Sequence, residues 1–268
     1  MFMTNWLNLD NKVAIVTGGA SGIGKSVALA LKEANAQVVI VDVNVETGLL
    51  LDDMYCIQCD ITNVKNVNCM VKSIVEKFGK IDILINNAGV NFPRKLVDDK
   101  QEHLEYEINE KDFDFIFSIN VKGAFFCAQA CAKNMIKNNS GVIINMSSES
   151  GKEGSEGQSI YTATKGAIDS ATRSWAKELG KYNIRVLAVA PGIMEATGLR
   201  SEEYKKALAY TRGASKYEDL NSDYSKLIPL GREGKLYEVG NYVAFLASEK
   251  ASYVSGTTIN ISGGKSRG

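Results

Sequence analysis

Residues 12–43 read KVAIVTGGASGIGKSVALALKEANAQVVIVDV, and the order of the parts decides the fold. Lys12–Thr17 is a short apolar run that ends in a glycine-rich segment, Gly18–Gly24. Ser26–Ala34 then carries apolar residues at helical spacing, and Gln37–Val43 is a second apolar, β-branched run. Strand, glycine-rich turn, helix, strand is the signature of a βαβ unit. A helix entered from such a turn offers unsatisfied backbone N–H groups and a partial positive charge, which suit a pyrophosphate. Glycine is needed there because the backbone must turn tightly and let a phosphate approach with no Cβ in the way. Asp42, at the tip of the second strand, can hydrogen-bond a ribose diol, and its charge would repel a 2′-phosphate. Neither Ala20 nor Ser21 is a cation that could offset the repulsion, so the pattern favours NAD over NADP.

The same alternation runs on from this unit. Strand-like runs follow at Tyr55–Asp60, Ile81–Asn86, Gly141–Ser147, Ile184–Ala190 and Thr257–Ser262, separated by helical stretches at Val64–Phe78, Asn109–Lys137, Tyr161–Tyr182 and Tyr237–Ala247. Continuous β-branched strands alternating with helices predict an α/β fold, a Rossmann-type doubly wound parallel sheet of about seven strands with helices on both faces. One such sheet accounts for the whole length, so a single domain over residues 1–268 is expected. Between Asp42 and Asp60 there is room only for a turn or a short helix. Gly89–Asn109 is charged and aperiodic, and Gly192–Leu230 is polar with a helical core at Ser201–Arg212. Long irregular segments at strand ends commonly build binding sites, which makes residues 192–230 the expected substrate-loop region.

Composition narrows the function. The 268 residues carry 31 Lys and Arg against 31 Asp and Glu, with no basic stripe. A nucleic-acid partner, which needs clustered cations to displace counterions, is therefore not expected. There is no run of eighteen or more apolar residues, and Met1–Asp10 has neither a basic nor an apolar signal region, so a cytoplasmic chain without membrane spans is predicted. Cys56 and Cys59 form a C-x-x-C, but residues three apart on a strand face opposite sides. With His103 as the sole histidine, no metal site is expected, and the cysteines read as reduced thiols, mostly in the core.

Chemistry concentrates further along. Tyr161 and Lys165 lie four apart at a helix start and share one face. A free tyrosine has a pKa of about 10, and an ammonium beside it favours the phenolate. A two- to three-unit depression takes roughly 3–4 kcal/mol, within reach of Lys165 together with an oxidised nicotinamide ring. Alone, Y-x-x-x-K is common. Here Gly18–Gly24, Asp60, Asn86-Asn87-Ala88-Gly89, Asn120, Ser148, Tyr161/Lys165 and Pro191-Gly192 follow one another along the whole chain. In that order they resemble the short-chain dehydrogenase/reductase family.

The resemblance implies that Tyr161 is the general acid/base and that Lys165 holds the nicotinamide ribose while lowering the tyrosine pKa. It implies that Ser148 orients the substrate oxygen, Ser147 being the neighbour whose spacing to Tyr161 fits less well, and that Asn120 supports a water relay. Gly18, Ser21, Gly22, Ile23, Gly24, Asp42, Asp60, Ile61, Asn87, Ala88, Gly89, Pro191 and Gly192 are the expected cofactor contacts, with Tyr161 and Lys165. The family often has a threonine four residues past that glycine, at the carboxamide. Ala196 stands there, so the role passes to Thr197 or to backbone amides. A homotetramer is implied as well.

The variable segments, Val90–Arg94, Ser147–Gln158, Ala190–Arg200 and Gly263–Gly268, look like those of family members that oxidise a hexitol phosphate, D-glucitol 6-phosphate to D-fructose 6-phosphate with NAD⁺. Other expected substrates in reserve are an unphosphorylated polyol or ketose and a 3-oxoacyl thioester, with a non-catalytic NAD sensor last. Glu149, Glu153 and Gln158 are positioned to read polyol hydroxyls. A phosphate needs cations: Arg94, Lys152, Arg200, Lys265 and Arg267 are candidates, with Arg94 first and Arg200 second because a guanidinium binds phosphate oxygens as a fork.

Overall fold

The computed structural model describes residues 6–195, 197, 201–220 and 224–266. The chain opens with β1 (Val13–Thr17), α1 (Gly22–Glu33), β2 (Gln37–Asp42), the two-residue β3 (Leu50–Leu51) and β4 (Met54–Gln58). Helix α2 (Val64–Phe78), β5 (Ile83–Asn86), α3 (Glu110–Phe117) and α4 (Ala124–Lys137) follow, then β6 (Gly141–Met146), α5 (Ser150–Glu153) and α6 (Ser159–Leu179). The last part holds β7 (Ile184–Pro191), α7 (Glu202–Thr211), α8 (Tyr224–Leu227), α9 (Leu236–Ala247) and β8 (Thr258–Ile261).

The eight strands form one sheet in the order β3-β4-β2-β1-β5-β6-β7-β8. Every pairing is parallel except β3 with β4. From β1 the chain runs outward through β2 to β4, then returns to the other side of β1 at β5. That reversal leaves a crevice beyond the carboxyl ends of β1 and β5, where open α/β sheets bind ligands. The α/β doubly wound architecture is as expected, and the eighth strand is the addition. The segment after Asp42 is neither a plain turn nor a helix. Asp52 and Asp53, at φ 49° and 58°, make the two-residue turn that lets Leu51 double back on Met54.

Two apolar layers cover the sheet. On one face Val27, Ala28 and Leu31 of α1 and Val239, Val243 and Ala244 of α9 pack on Val16, Ile40, Ile85 and Ile144. On the other, Val67, Met70 and Ile74 of α2 and Cys127, Cys131 and Met135 of α4 pack on Ile15, Val39, Leu84 and Ile143. Each large aliphatic side chain so buried stabilises the fold by about 1.5–3 kcal/mol, an upper figure because unfolded chains are already partly compact. The central strands β1, β5 and β6 are buried at every position, which explains their mostly apolar sequence; the buried Asn86 and Asn145 bond each other.

Helix starts follow local capping. The Asn63 side-chain oxygen accepts from the amides of Lys65 and Asn66, the Asn109 side chain accepts from the Asp112 amide and the Ser201 hydroxyl from the Tyr204 amide. The stretch read as one helix from Asn109 to Lys137 is instead broken by a π-helical turn at Ser118–Gly123. The run Glu110–Lys137 is long and apolar enough, by length and composition alone, to cross a membrane; half of its most apolar window is buried in the fold. Cys56, Cys59, Cys127 and Cys131 are buried free thiols and Cys69 is exposed. His103, read as solvated, is half exposed but leans edge-on against Tyr210, 4.6 Å between ring centroids.

Candidate active site

The crevice predicted by the strand order is a cavity of about 440 Å³. Gly18, Ser21, Gly22, Ile23, Gly24, Asp42, Asp60, Ile61, Asn87, Ala88, Gly89, Tyr161, Lys165, Pro191 and Thr197 all line it. Residues 100 and more apart in sequence are therefore neighbours here. Gly192, expected with them, lies in the adjoining cavity instead.

Two glycines show why this loop tolerates no side chain. A Cβ on Gly18 (φ +63°) would come within 2.8 Å of the Ala88 Cα. A Cβ on Gly24 would sit 2.1 Å from the Gly18 carbonyl oxygen and 2.4 Å from Asn87 Nδ2. The Asn87 amide in turn donates to the Thr17 and Gly18 carbonyls at 3.0 and 3.1 Å, so β5 braces the glycine loop. Ser21 makes no side-chain cap to α1, and no acidic residue stands in the first turn. The first-turn amides therefore face the cavity without a side-chain acceptor, as a pyrophosphate site requires. Asp42 is fixed at the mouth: its oxygens accept from the Ala20 amide at 3.2 Å and the Asn44 amide at 3.0 Å. Asp60 accepts from the Thr62 amide and hydroxyl. A dinucleotide fits this lining.

Helix α6 begins at Ser159, a half-turn earlier than expected, which puts Tyr161 inside the first turn and Lys165 one turn on. Lys165 is 6 % exposed, and its ammonium donates to the Met146 carbonyl at 2.7 Å and lies 5.5 Å from the Tyr161 ring centroid. Burial pulls the amine down to about 8, against a smaller upward pull from Asp169. Tyr161 keeps part of its side chain open to the cavity, yet protein encloses it on most sides. That burial pushes the phenol up to about 12; a hydrogen bond from Ser148 lowers it and Tyr204 raises it further. The expected depression of the tyrosine pKa is thus not achieved by Lys165 in the protein alone. The ammonium is engaged with the Met146 carbonyl, and desolvation of the phenolate is the largest influence on the phenol.

Ser148 is the serine that reaches the phenol, whereas the Ser147 hydroxyl points back to the Lys165 carbonyl at 3.5 Å. Asn120 sits in the π-helical turn, 3 % exposed. Its side chain clasps the Val90 backbone, accepting from the amide at 2.8 Å and donating to the carbonyl at 2.9 Å, and it also donates to Thr164. A Cβ on Gly89 would stand 3.2 Å from Asn120 Oδ1 and 3.7 Å from Lys165 Nζ, so Gly89 keeps open the gap between the two. Asn120 does not bond Lys165 directly.

A second cavity, of about 460 Å³, adjoins the first and shares Ile23, Ser147, Tyr161, Pro191 and Thr197 with it. Ser148, Glu149 and Glu153 form one wall, and the 192–230 segment supplies another through Met194, Tyr204, Leu208 and Tyr217. Lys265 of the C-terminal segment closes it by pairing with Glu149 at 2.7 Å, and its ammonium lies 3.9 Å from Glu153. The other Glu149 oxygen is buried without a hydrogen-bond partner, as is the Asn91 side-chain oxygen.

Arg94 needs correcting. It lies outside this cavity, its Nε bonded to Asp112 at 2.6 Å and its Nη1 to the Pro93 carbonyl. The carboxylate three residues into α3 takes the charge that a phosphate would need. Arg200 and Arg267 lie outside the described residues. The cations that do line the cavity among the described residues are Lys265 and Arg212. Sequence reasoning missed Arg212, Asn91 and Tyr204: each lies in an aperiodic or polar stretch whose folding back onto α6 no spacing reveals.

The order of the strands, the braced glycine loop and the Ser148–Tyr161–Lys165 cluster at its mouth have a known counterpart. The chain is an oxidoreductase belonging to the short-chain dehydrogenase/reductase family, whose cofactor is a nicotinamide dinucleotide. A family profile described as enoyl-(acyl carrier protein) reductase matches residues 18–266. The chain is 52 % identical over 268 residues to the sorbitol-6-phosphate 2-dehydrogenase of Klebsiella pneumoniae, covering 99 % of this chain and 100 % of that protein. It is 36 % identical to a 3-oxoacyl-[acyl-carrier-protein] reductase of Thermotoga maritima, over 96 % of this chain and 99 % of that one. Among solved structures, the Brucella melitensis 3-ketoacyl-(acyl-carrier-protein) reductase complexed with NADH superposes with a TM-score of 0.80 at 29 % identity, covering 97 % of this chain and 100 % of that chain. The ligand-free aldohexose dehydrogenase of Thermoplasma acidophilum does so at 0.81 and 28 %, covering 97 % and 95 %.

Proposed function

We propose that this chain is an NAD-dependent dehydrogenase that oxidises D-glucitol 6-phosphate at C2 to D-fructose 6-phosphate. The observation that carries the reading is the 52 % identity, end to end, with a sorbitol-6-phosphate 2-dehydrogenase. The cavity chemistry supports it. Asn91, Ser148, Glu149 and Glu153 line the cavity with side chains able to bond polyol hydroxyls, and it contains cations as well as carboxylates.

Ser148 donates to the C2 oxygen and holds it against the Tyr161 phenol. Tyr161, as phenolate, takes the hydroxyl proton while the C2–H bond breaks and the carbonyl forms. An oxidised nicotinamide held here would supply the hydride acceptor and a positive charge near the phenol. Lys165 would hold the nicotinamide ribose and steady the phenolate, and Asn120, locked on Val90, would position a water that carries the proton away from Tyr161. Gly18–Gly24 with the α1 amides would hold the pyrophosphate, Asp60 and Ile61 the adenine, and Thr197, against Gly22, the carboxamide.

Asp42 is the basis for NAD rather than NADP. In Asp42→Ala we expect a bond worth about 1.5–3 kcal/mol to be lost, or about 10- to 100-fold in NAD preference over NADP. Initial rates with each cofactor measure it, and an unchanged ratio assigns selectivity elsewhere. The substrate reading is tested by following NADH absorbance with D-glucitol 6-phosphate, D-glucitol, mannitol 6-phosphate and, in reverse, an acetoacetyl thioester. Equal kcat/KM for glucitol and its phosphate rejects the phosphorylated substrate, and a preference for the thioester moves the chain to acyl reduction.

Assembly into a homotetramer also belongs to this reading. Phe125, 41 % exposed, packs edge-on against Trp175 at 4.7 Å on the outer side of α4 and α6, an apolar face suited to another copy.

A further inference from the structure

We infer that Arg212, at the end of α7, is the group that binds the phosphate of the substrate, holding it at a fixed offset from Tyr161. The inference rests on the polyol-phosphate reading and names the site of its anion. Arg212 lines the substrate cavity. Its guanidinium is held along one edge by neutral oxygens only: Nε donates to the Glu156 carbonyl at 3.2 Å and Nη2 to the Ser155 hydroxyl at 2.9 Å. No carboxylate pairs with it among the described residues. Two of its five N–H groups are engaged, so a phosphate can take a bidentate bond from the remaining face.

The other cations near the site are spent. Arg94 is paired with Asp112 outside the cavity, and Lys265 is neutralised by Glu149. Glu195, also in the lining, is tied to Lys235 and to the Leu236 amide. Arg212 is therefore the cation of the described lining whose charge is not already met by a carboxylate.

The guanidinium is also oriented before any ligand arrives. The Ser155 hydroxyl that holds Nη2 donates to Gln158 at 2.8 Å, and Gln158 donates to the Tyr204 hydroxyl at 2.7 Å. Gln158 is the residue from which α6 starts, three before Tyr161. Thr211 packs against Gly157, where a Cβ would come within 2.3 Å of its hydroxyl. The end of α7 is thus pinned to the entry of the helix that carries Tyr161. An anion held by Arg212 would sit at a set distance from the phenol, and that distance decides which hydroxyl of an extended polyol reaches it. Preorganised geometry of this kind selects position as well as affinity.

The test uses the full-length protein with NAD⁺, comparing wild type with Arg212→Ala and Arg212→Lys. KM for D-glucitol 6-phosphate should rise about 10- to 100-fold in Arg212→Ala with kcat changed far less, while kcat/KM for D-glucitol stays level and reports an intact fold. Arg212→Lys, which keeps charge but not the fork, should fall between. Inorganic phosphate should inhibit glucitol oxidation competitively in wild type and lose that effect in Arg212→Ala. Retained preference for the phosphorylated polyol together with retained phosphate inhibition in Arg212→Ala overturns the inference. Arg212-dependent inhibition by phosphate in a wild type that does not prefer glucitol 6-phosphate supports the anion site and rejects only the substrate reading. Absence of both preference and inhibition in wild type rejects both.

Discussion

Tyr161→Phe is expected to lower kcat for polyol oxidation by about 10²- to 10⁴-fold, the span that a positioned acid–base group contributes. The phenyl ring fills the same volume, so KM and thermal stability should change little. The pH dependence makes the result specific. In the protein the phenol lies at about 12 and the Lys165 amine at about 8. The reactive form has phenolate and ammonium together. Below pH 8 each unit of rising pH raises the phenolate fraction about tenfold while the ammonium stays full. Between the two values the gain in phenolate is cancelled by loss of ammonium. kcat/KM for oxidation should therefore climb and then level, the break belonging to the pair as a unit and moved below about pH 8 by the positive charge of a bound nicotinamide. In Tyr161→Phe the residual rate should lose that climb. A variant keeping near-normal turnover and the same profile removes Tyr161 from proton transfer.

The second large effect is expected from Gly24→Ala. One methyl group would overlap the Gly18 carbonyl oxygen and the Asn87 amide. Both are backbone or bonded to backbone, so neither can swing away as the end of a flexible chain would. The loop must open, and the Asn87 bonds to Thr17 and Gly18 go with it. Overpacking of this kind costs roughly 1–3 kcal/mol or more, and the distorted loop no longer presents its amides to a pyrophosphate. NADH binding followed by fluorescence should be abolished or weakened by at least about 100-fold, with a lower melting temperature. Ordinary affinity in a normally stable variant would show that the tight approach of Gly24 is not needed.

Much of the cofactor side was legible in advance because its residues stand at the ends of regular elements. The period of the apolar runs places β1, α1 and β2, and Asp42 falls at a strand tip by counting alone. Tyr161 and Lys165 meet because helices bring residues four apart onto one face. The misses share a cause. The π-helical turn around Asn120 interrupts a stretch that is helical by composition, since the signal for helix is the same on both sides of it. The Leu51–Met54 hairpin depends on two aspartates adopting left-handed backbone, a choice with no periodic trace. Nothing in the sequence separates Arg94 from Arg212, because Asp112 comes beside the first only when the chain folds.

The stretch from Lys12 to Val43, read alone, pointed to a βαβ unit suited to a dinucleotide, and the motifs spaced from Gly18 to Gly192 carried the likeness to one enzyme family. These are consequences of local periodicity and of the room that glycine leaves, and both are written in neighbouring residues. The tertiary structure decided which charges remain available and at what pKa the Tyr161–Lys165 pair rests. Ion pairing and desolvation depend on which distant side chains are brought within a few ångströms, and that is set only when α3, α7 and the C-terminal segment close around the end of the sheet.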